Sequence, residues 1–105
     1  MNEIWKFPIL EEEVEIEAPI VEFLTVQMQG NIPCVWAIVN PVKASNRYKI
    51  ITFGTGWEGT LDADRYIGTV QDGAFVWHYF WERVSNIRSP SEGHALSMFS
   101  SLSSR

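Results

Sequence analysis

Cysteine is the scarcest chemistry-bearing residue in this sequence: Cys34 is the only one in 105 residues. No intrachain disulfide can form, whereas a small secreted domain usually carries several. No basic stretch followed by an apolar segment opens the chain, and no run of 18 apolar residues occurs. The expectation is a protein of the cytoplasm with no membrane partner. Metal ligands are equally sparse. His78 and His94 stand far apart and there is no C-x-x-C, so neither a metal nor another cofactor is expected. Positive charge is short as well. The net charge is −5, and residues 1–22 carry seven glutamates against one lysine. Coating DNA needs a broad basic face, so DNA is not an expected partner. A small anion in a focused pocket needs only a few cations and stays open. The plainer reading of the glutamates is a solvated edge.

Catalytic patterns are absent too. Neither histidine is followed by Ser or Thr, as a two-histidine phosphodiesterase would require. Asp62, Asp64 and Asp72 have no histidine in their segment, against metal-dependent hydrolysis. Composition alone leaves a Ser-His-Asp triad open, but there is no G-x-S-x-G. Cys34 sits between apolar neighbours and reads as a buried small residue rather than a nucleophile. Gly54-Thr55-Gly56 is not followed by Gly-Lys-Ser/Thr, so it is no Walker loop. The expectation is a protein that is not an enzyme and has no catalytic residues.

What is present is alternation. Apolar and polar residues alternate in short runs separated by turn signals, which is the strand pattern. Ile4–Phe7 ends at Pro8, and Val14–Glu17 ends at Ala18-Pro19. Phe23–Gln29 alternates through Leu24, Val26 and Met28, then Gly30-Asn31 turns the chain into Ile32–Val39. Arg47–Phe53 runs into Gly54-Thr55-Gly56. Residues 57–64 read as a loop with at most one helical turn. Arg65–Val70 and the Asp72-Gly73 turn lead into Ala74–Trp81, a strand apolar on both faces. About seven such strands predict an all-β, mainly antiparallel fold, a small sandwich or partly open barrel. The β domain spans residues 1–84. Residues 85–105, with eight serines, form either a flexible tail or a short docking helix. Leu96, Phe99 and Leu102 supply an apolar stripe, and Ser91 a possible cap. A docked tail would favour a homo-oligomer.

Aromatics make up 13% of the chain, five of them Trp. They read either as core filling or as stacking surface. Gly54, Thr55, Gly56 and Trp57 offer backbone N–H groups, a hydroxyl and a ring within four residues, a candidate phosphate nest with a ring for a base. Arg47, Lys49 and Arg65 flank it in sequence, and Tyr66 adds a second ring. These eight residues are the candidate ligand site; a glycine turn and a solvated sheet face are the plainer alternatives. On the aromatic strand, Trp77, Tyr79 and Trp81 share one face while Val76, His78 and Phe80 share the other. One face is core and the other meets a subunit or a ligand. Trp77, Tyr79 and Trp81, with Leu96, Phe99 and Leu102, are the candidate oligomer interface, and His78 reads as an interior or interface histidine.

Ile4-Trp5-Lys6-Phe7-Pro8, Val26-Gln27-Met28-Gln29 with Pro33-Cys34-Val35-Trp36-Ala37, Gly54-Thr55-Gly56, Tyr66-Ile67-Gly68-Thr69 and Gly73-Ala74-Phe75-Val76-Trp77-His78 together resemble a family of small proteins of bacteriophages and prophages. The resemblance covers residues 3–80. This chain has Trp57-Glu58 where that family has His-Pro, and residues 85–105 lie outside the pattern. The resemblance implies a phage origin and action in the host cytoplasm, with no assigned activity. By analogy with other small phage proteins it implies an anti-defence role. The leading expectation is a sponge that binds a cyclic nucleotide second messenger without cleaving it. The alternatives are an inhibitor that binds a host defence protein, and a virion accessory piece.

Overall fold

The computed structural model describes residues 1–84; the tail, and with it Leu96, Phe99 and Leu102, lies outside the described residues. Seven strands follow one another: β1 (Glu3–Pro8), β2 (Glu13–Ala18), β3 (Ile20–Gln29), β4 (Ile32–Val39), β5 (Asn46–Gly54), β6 (Tyr66–Asp72) and β7 (Phe75–Val84). One 3-10 turn, Ala63–Arg65, precedes β6, with the Asp62 side chain capping the Asp64 N–H at 2.9 Å. All pairings are antiparallel. No helix among the described residues is long and apolar enough to cross a membrane.

The strands form two sheets, ordered β1-β4-β3 and β2-β5-β7-β6, so the fold is a small antiparallel sandwich. The chain changes sheet at Pro19, which has no N–H to give to a ladder. Its carbonyl accepts from Asn40 N–H at 3.0 Å, so the corner is hydrogen-bonded. The β3–β4 and β6–β7 hairpins turn at Gly30 (φ 61°) and Gly73 (φ 62°). That left-handed backbone is why glycine occupies both sites.

Strand alternation sends one residue in two to the space between the sheets. Val26, Val35, Ile50, Ile67, Val70 and Tyr79 meet there, joined by Ile9 from the β1–β2 connection. Tyr48 meets Phe23 and Trp81 edge to face, and Phe23 lies tilted against Trp81, with centroids 5.4–5.9 Å apart. On β3 the alternation breaks. Register shifts lie between Ile20 and Glu22 and between Phe23 and Thr25. The second shift turns Phe23 inward and leaves Leu24 41% exposed, against the expected inward phase of Leu24. A bulge inserts one unpaired residue and reverses the faces beyond it.

The two sheets approach most closely along the β3 and β6 edges. There Gly68 lets them meet: a Cβ on it would stand 2.9 Å from Val26 Cγ1 and 3.3 Å from Val26 N. Strands β1 and β2 are the outer strands on the opposite side.

The inward face of β7 carries Trp77, Tyr79 and Trp81. Tyr79 is 2% exposed and both tryptophans pack against the core. This corrects their assignment to an oligomer interface. Their side chains fill the sandwich, because the register sets them opposite Gly54, Thr52 and Ile50 on the inner face of β5. The outward face holds Val76, His78 and Phe80.

Candidate functional site

One end of the sandwich is not filled. Residues 9–12 cross it as a strap. Ile9 N–H donates to Pro33 O of β4 at 2.8 Å, and Thr52 N–H of β5 donates to Glu12 O at 2.9 Å. The strap therefore ties one sheet to the other. Beside it opens a recess of about 270 Å³. Its apolar walls are Ile9, Met28, Pro33, Trp57, Trp77 and Tyr79; its polar groups are Glu11, Glu12, Thr52 and Asp72.

Trp57 reaches this recess through the turn that follows β5. Trp57 N–H donates to Gly54 O at 3.1 Å and Gly56 takes φ 88°, the glycine-third geometry of a type II turn. The indole folds back over Gly54, where an added Cβ would come within 2.6 Å of the ring. Trp57 meets Trp77 at 5.7 Å and 70°, and Phe53 at 5.7 Å and 66°. It remains 46% exposed, so one side of the ring faces solvent. Tyr79 lies at the floor. Burial pushes its hydroxyl pKa up, the Thr52 hydrogen bond opposes that, and the Asp72 carboxylate adds to the rise. Asp72 is near enough to act on Tyr79 because Gly68, Val70 and Asp72 share the inward phase of β6.

Gly54, Thr55, Gly56 and Trp57 thus form a built turn at the mouth of a recess. The cations expected beside it are elsewhere. Arg47 and Lys49 precede Gly54 by seven and five residues on one strand, about 23 and 16 Å at strand rise. Both lie on the outward face of β5, across from β2, in ion pairs: Arg47 with Glu15 at 3.5 Å, Lys49 with Glu13 at 3.8 Å. Arg65 pairs with Asp62 at 3.6 Å and lies over the Trp81 ring at 4.6 Å. Tyr66 is on the outward face of β6, edge-on to Phe80, so it does not share a base with Trp57. The proposed convergence of Arg47, Lys49 and Arg65 on the glycine turn is corrected, while Tyr66 reaches the turn only through its hydroxyl, by way of Thr69 and His78 to Thr55 on the outward face. Neighbours in sequence are carried apart by extended backbone and turned to the other face.

Two features escaped the sequence reading. The first is the acid lining: Glu11, Glu12 and Asp72 meet from the strap and from the end of β6. Asp72 left one usable sign, a charge in the inward phase of a strand. The second is a polar chain across the outward face of the larger sheet. Thr55 Oγ1 lies 2.7 Å from His78 Nε2, Thr69 Oγ1 lies 2.9 Å from His78 Nδ1, and Thr69 meets the Tyr66 hydroxyl. His78 is thus held between two threonines drawn from the turn after β5 and from β6. No local motif announces it, because its parts come from three strands. It joins those strands and lies on the face opposite the recess.

Residues 1–89 match a family model described as a domain of unknown function (DUF7352), and the chain belongs to that family. No curated protein and no solved structure matches it.

Proposed function

We propose that this protein is a phage-borne inhibitor that binds a host defence protein in the host cytoplasm and blocks it without catalysis. The observation that carries this reading is the aromatic recess opening beside an acidic edge. Glu11 and Glu12 line the mouth. The same segment continues into β2, whose Glu13, Glu15 and Glu17 are all exposed. Recess and edge make one surface that fits a basic protein, with apolar walls for an anchoring side chain and carboxylates around it. β2 is an edge strand, so its free main-chain groups can also pair with a partner strand.

The test is capture from host lysate with the wild-type chain and with a variant in which Glu11, Glu12 and Glu13 are changed to Lys. A partner held by the wild type and lost by the variant is the expected outcome. Equal recovery by both removes the reading.

One observation favours a second reading, the cyclic nucleotide sponge. Phe75 and Trp77 stack at 5.6 Å and 17°. They line a groove of about 470 Å³ with Gly54, Thr55 and Trp57, where ring faces and backbone N–H groups stand together. No Lys or Arg lines that groove among the described residues, so phosphates would depend on cations from a second subunit. Calorimetry with cyclic di- and trinucleotides separates the two readings: heat with any of them places the sponge first.

A further inference from the structure

We infer that the recess beside Trp57 receives the guanidinium or ammonium head of an arginine or lysine side chain presented by the protein partner; this rests on the reading of that recess as the inhibitor's binding site. Three independent features of the recess lead there.

Size comes first. Pockets for drug-sized ligands run from about 300 to 1,000 Å³, and this one is about 270 Å³. It holds one long side chain and is small for a cyclic dinucleotide. Wall chemistry comes second. Ile9, Met28 and Pro33 give an apolar lining for a methylene stem. The Trp57 and Trp77 rings meet edge to face at 70°, forming a corner with π-electron density. Such faces attract cations, most strongly when the cation is partly desolvated.

Charge comes third. The carboxyl side chains at the recess are Glu11, Glu12 and Asp72, and no Lys, Arg or His is among the described lining residues. The ion pairs among the described residues use Glu13, Glu15 and Asp62 instead. Of the described cations, Lys49 pairs with Glu13, the residue after Glu12, and three others lie away from the recess. Arg47 and Arg83 are at the end of the larger sheet far from Gly54, with Arg83 donating to Asn46 at 2.6 Å. Lys6 is on the outward face of the smaller sheet against Gln29 and Trp36. Among the described residues no ion pair takes Glu11, Glu12 or Asp72, and an anion entering the recess meets carboxylates rather than cations. A positive head group meets ring faces on one side and carboxylates on the other.

The experiment follows the Trp57 and Trp77 indole N–H signals of the full chain by NMR during titration. The probes are N-acetyl-arginine methylamide, its lysine counterpart, the citrulline isostere, spermidine and inorganic phosphate. The expected result is that the arginine and lysine probes move both signals and the neutral citrulline probe binds about tenfold more weakly. Asp72→Asn lowers the affinity for the arginine probe by a similar factor. It also weakens the salt dependence of that affinity, which a purely structural role for Asp72 would leave unchanged. Citrulline binding as tightly as arginine overturns the cation assignment and leaves the recess as a neutral binding site. Spermidine binding more tightly than either side-chain probe assigns a free polyamine and overturns the protein source. Phosphate as the tightest binder overturns the charge argument. If no probe moves either signal, the assignment of the recess to a cationic side chain fails, while the inhibitor reading stands or falls on the lysate capture.

Discussion

Replacing Gly68 with alanine tests how the two sheets are held together. The added Cβ would stand 2.9 Å from Val26 Cγ1 and 3.3 Å from Val26 N. Val26 cannot easily make room: its side chain is β-branched and stiff about χ1, and it is 3% exposed within the core. The nitrogen belongs to a strand paired with β4. Forcing an extra methyl into a packed core costs about 1–3 kcal/mol. Alanine also narrows the unfolded ensemble, which returns about 0.4–1 kcal/mol. The mid-range values leave a net loss of about 1.3 kcal/mol, or roughly 5–10 °C in Tm for a domain of this size. Urea denaturation of the wild type, Gly68→Ala, Val26→Ala and the double variant measures it. Val26→Ala removes the atom in closest conflict, so the double variant is more stable than the sum of the single losses by at least about 0.5 kcal/mol. A Gly68→Ala protein as stable as the wild type, or losses that simply add, would falsify the claim that glycine sets the distance between the sheets.

Four further outcomes follow from the same geometry. Gly54→Ala pushes the Trp57 indole off its seat, so the Trp57 signal moves toward a solvent-exposed one and probe affinity at the recess falls; an unchanged indole signal counts against the packing described. Ile50→Ala empties a fully buried position and costs about 2–5 kcal/mol by denaturant titration. Tyr79 has its pKa raised mainly by burial, so the native state holds its proton more tightly than the unfolded chain. Its contribution to stability is complete below pH 10 and is lost as pH rises through the folded value. The wild type then loses stability above pH 10 more steeply than Tyr79→Phe, and parallel profiles would refute this. Arg47→Gln with Lys49→Gln removes two exposed ion pairs, costs about 1 kcal/mol or less, and leaves arginine-probe affinity at the recess within about twofold.

Strand positions were legible because their cause is local. Ile32–Val39 was read to its ends, and the hairpin turns announced themselves through Gly30-Asn31 and Asp72-Gly73. The start of β3 at Ile20 was not, since the chain passes Pro19 and re-enters a ladder at once. The bulges hid the true phase of Leu24 and Phe23, because an alternation rule has no place for an unpaired residue. At the site, the glycine turn and Trp57 could be picked out, because turn chemistry sits within four residues. The place of the cations is not legible, because nearness in sequence is not nearness in space. A strand carries Arg47 away from Gly54 by its own length. Glu11, Glu12 and Asp72 converge only through the strap and the β6 edge, and pairing across such distances is written in no single stretch of the chain.

The glutamates of β2 have a consequence for how molecules of this protein meet in a crowded cell. Glu13, Glu15 and Glu17 recur at every second position on the outer strand of the larger sheet. Were that strand to zip against its own copy in another molecule, carboxylate would face carboxylate along the whole join. The strand is thereby barred from templating an endless ribbon of itself, while remaining free to accept a stranger whose side chains carry the opposite sign.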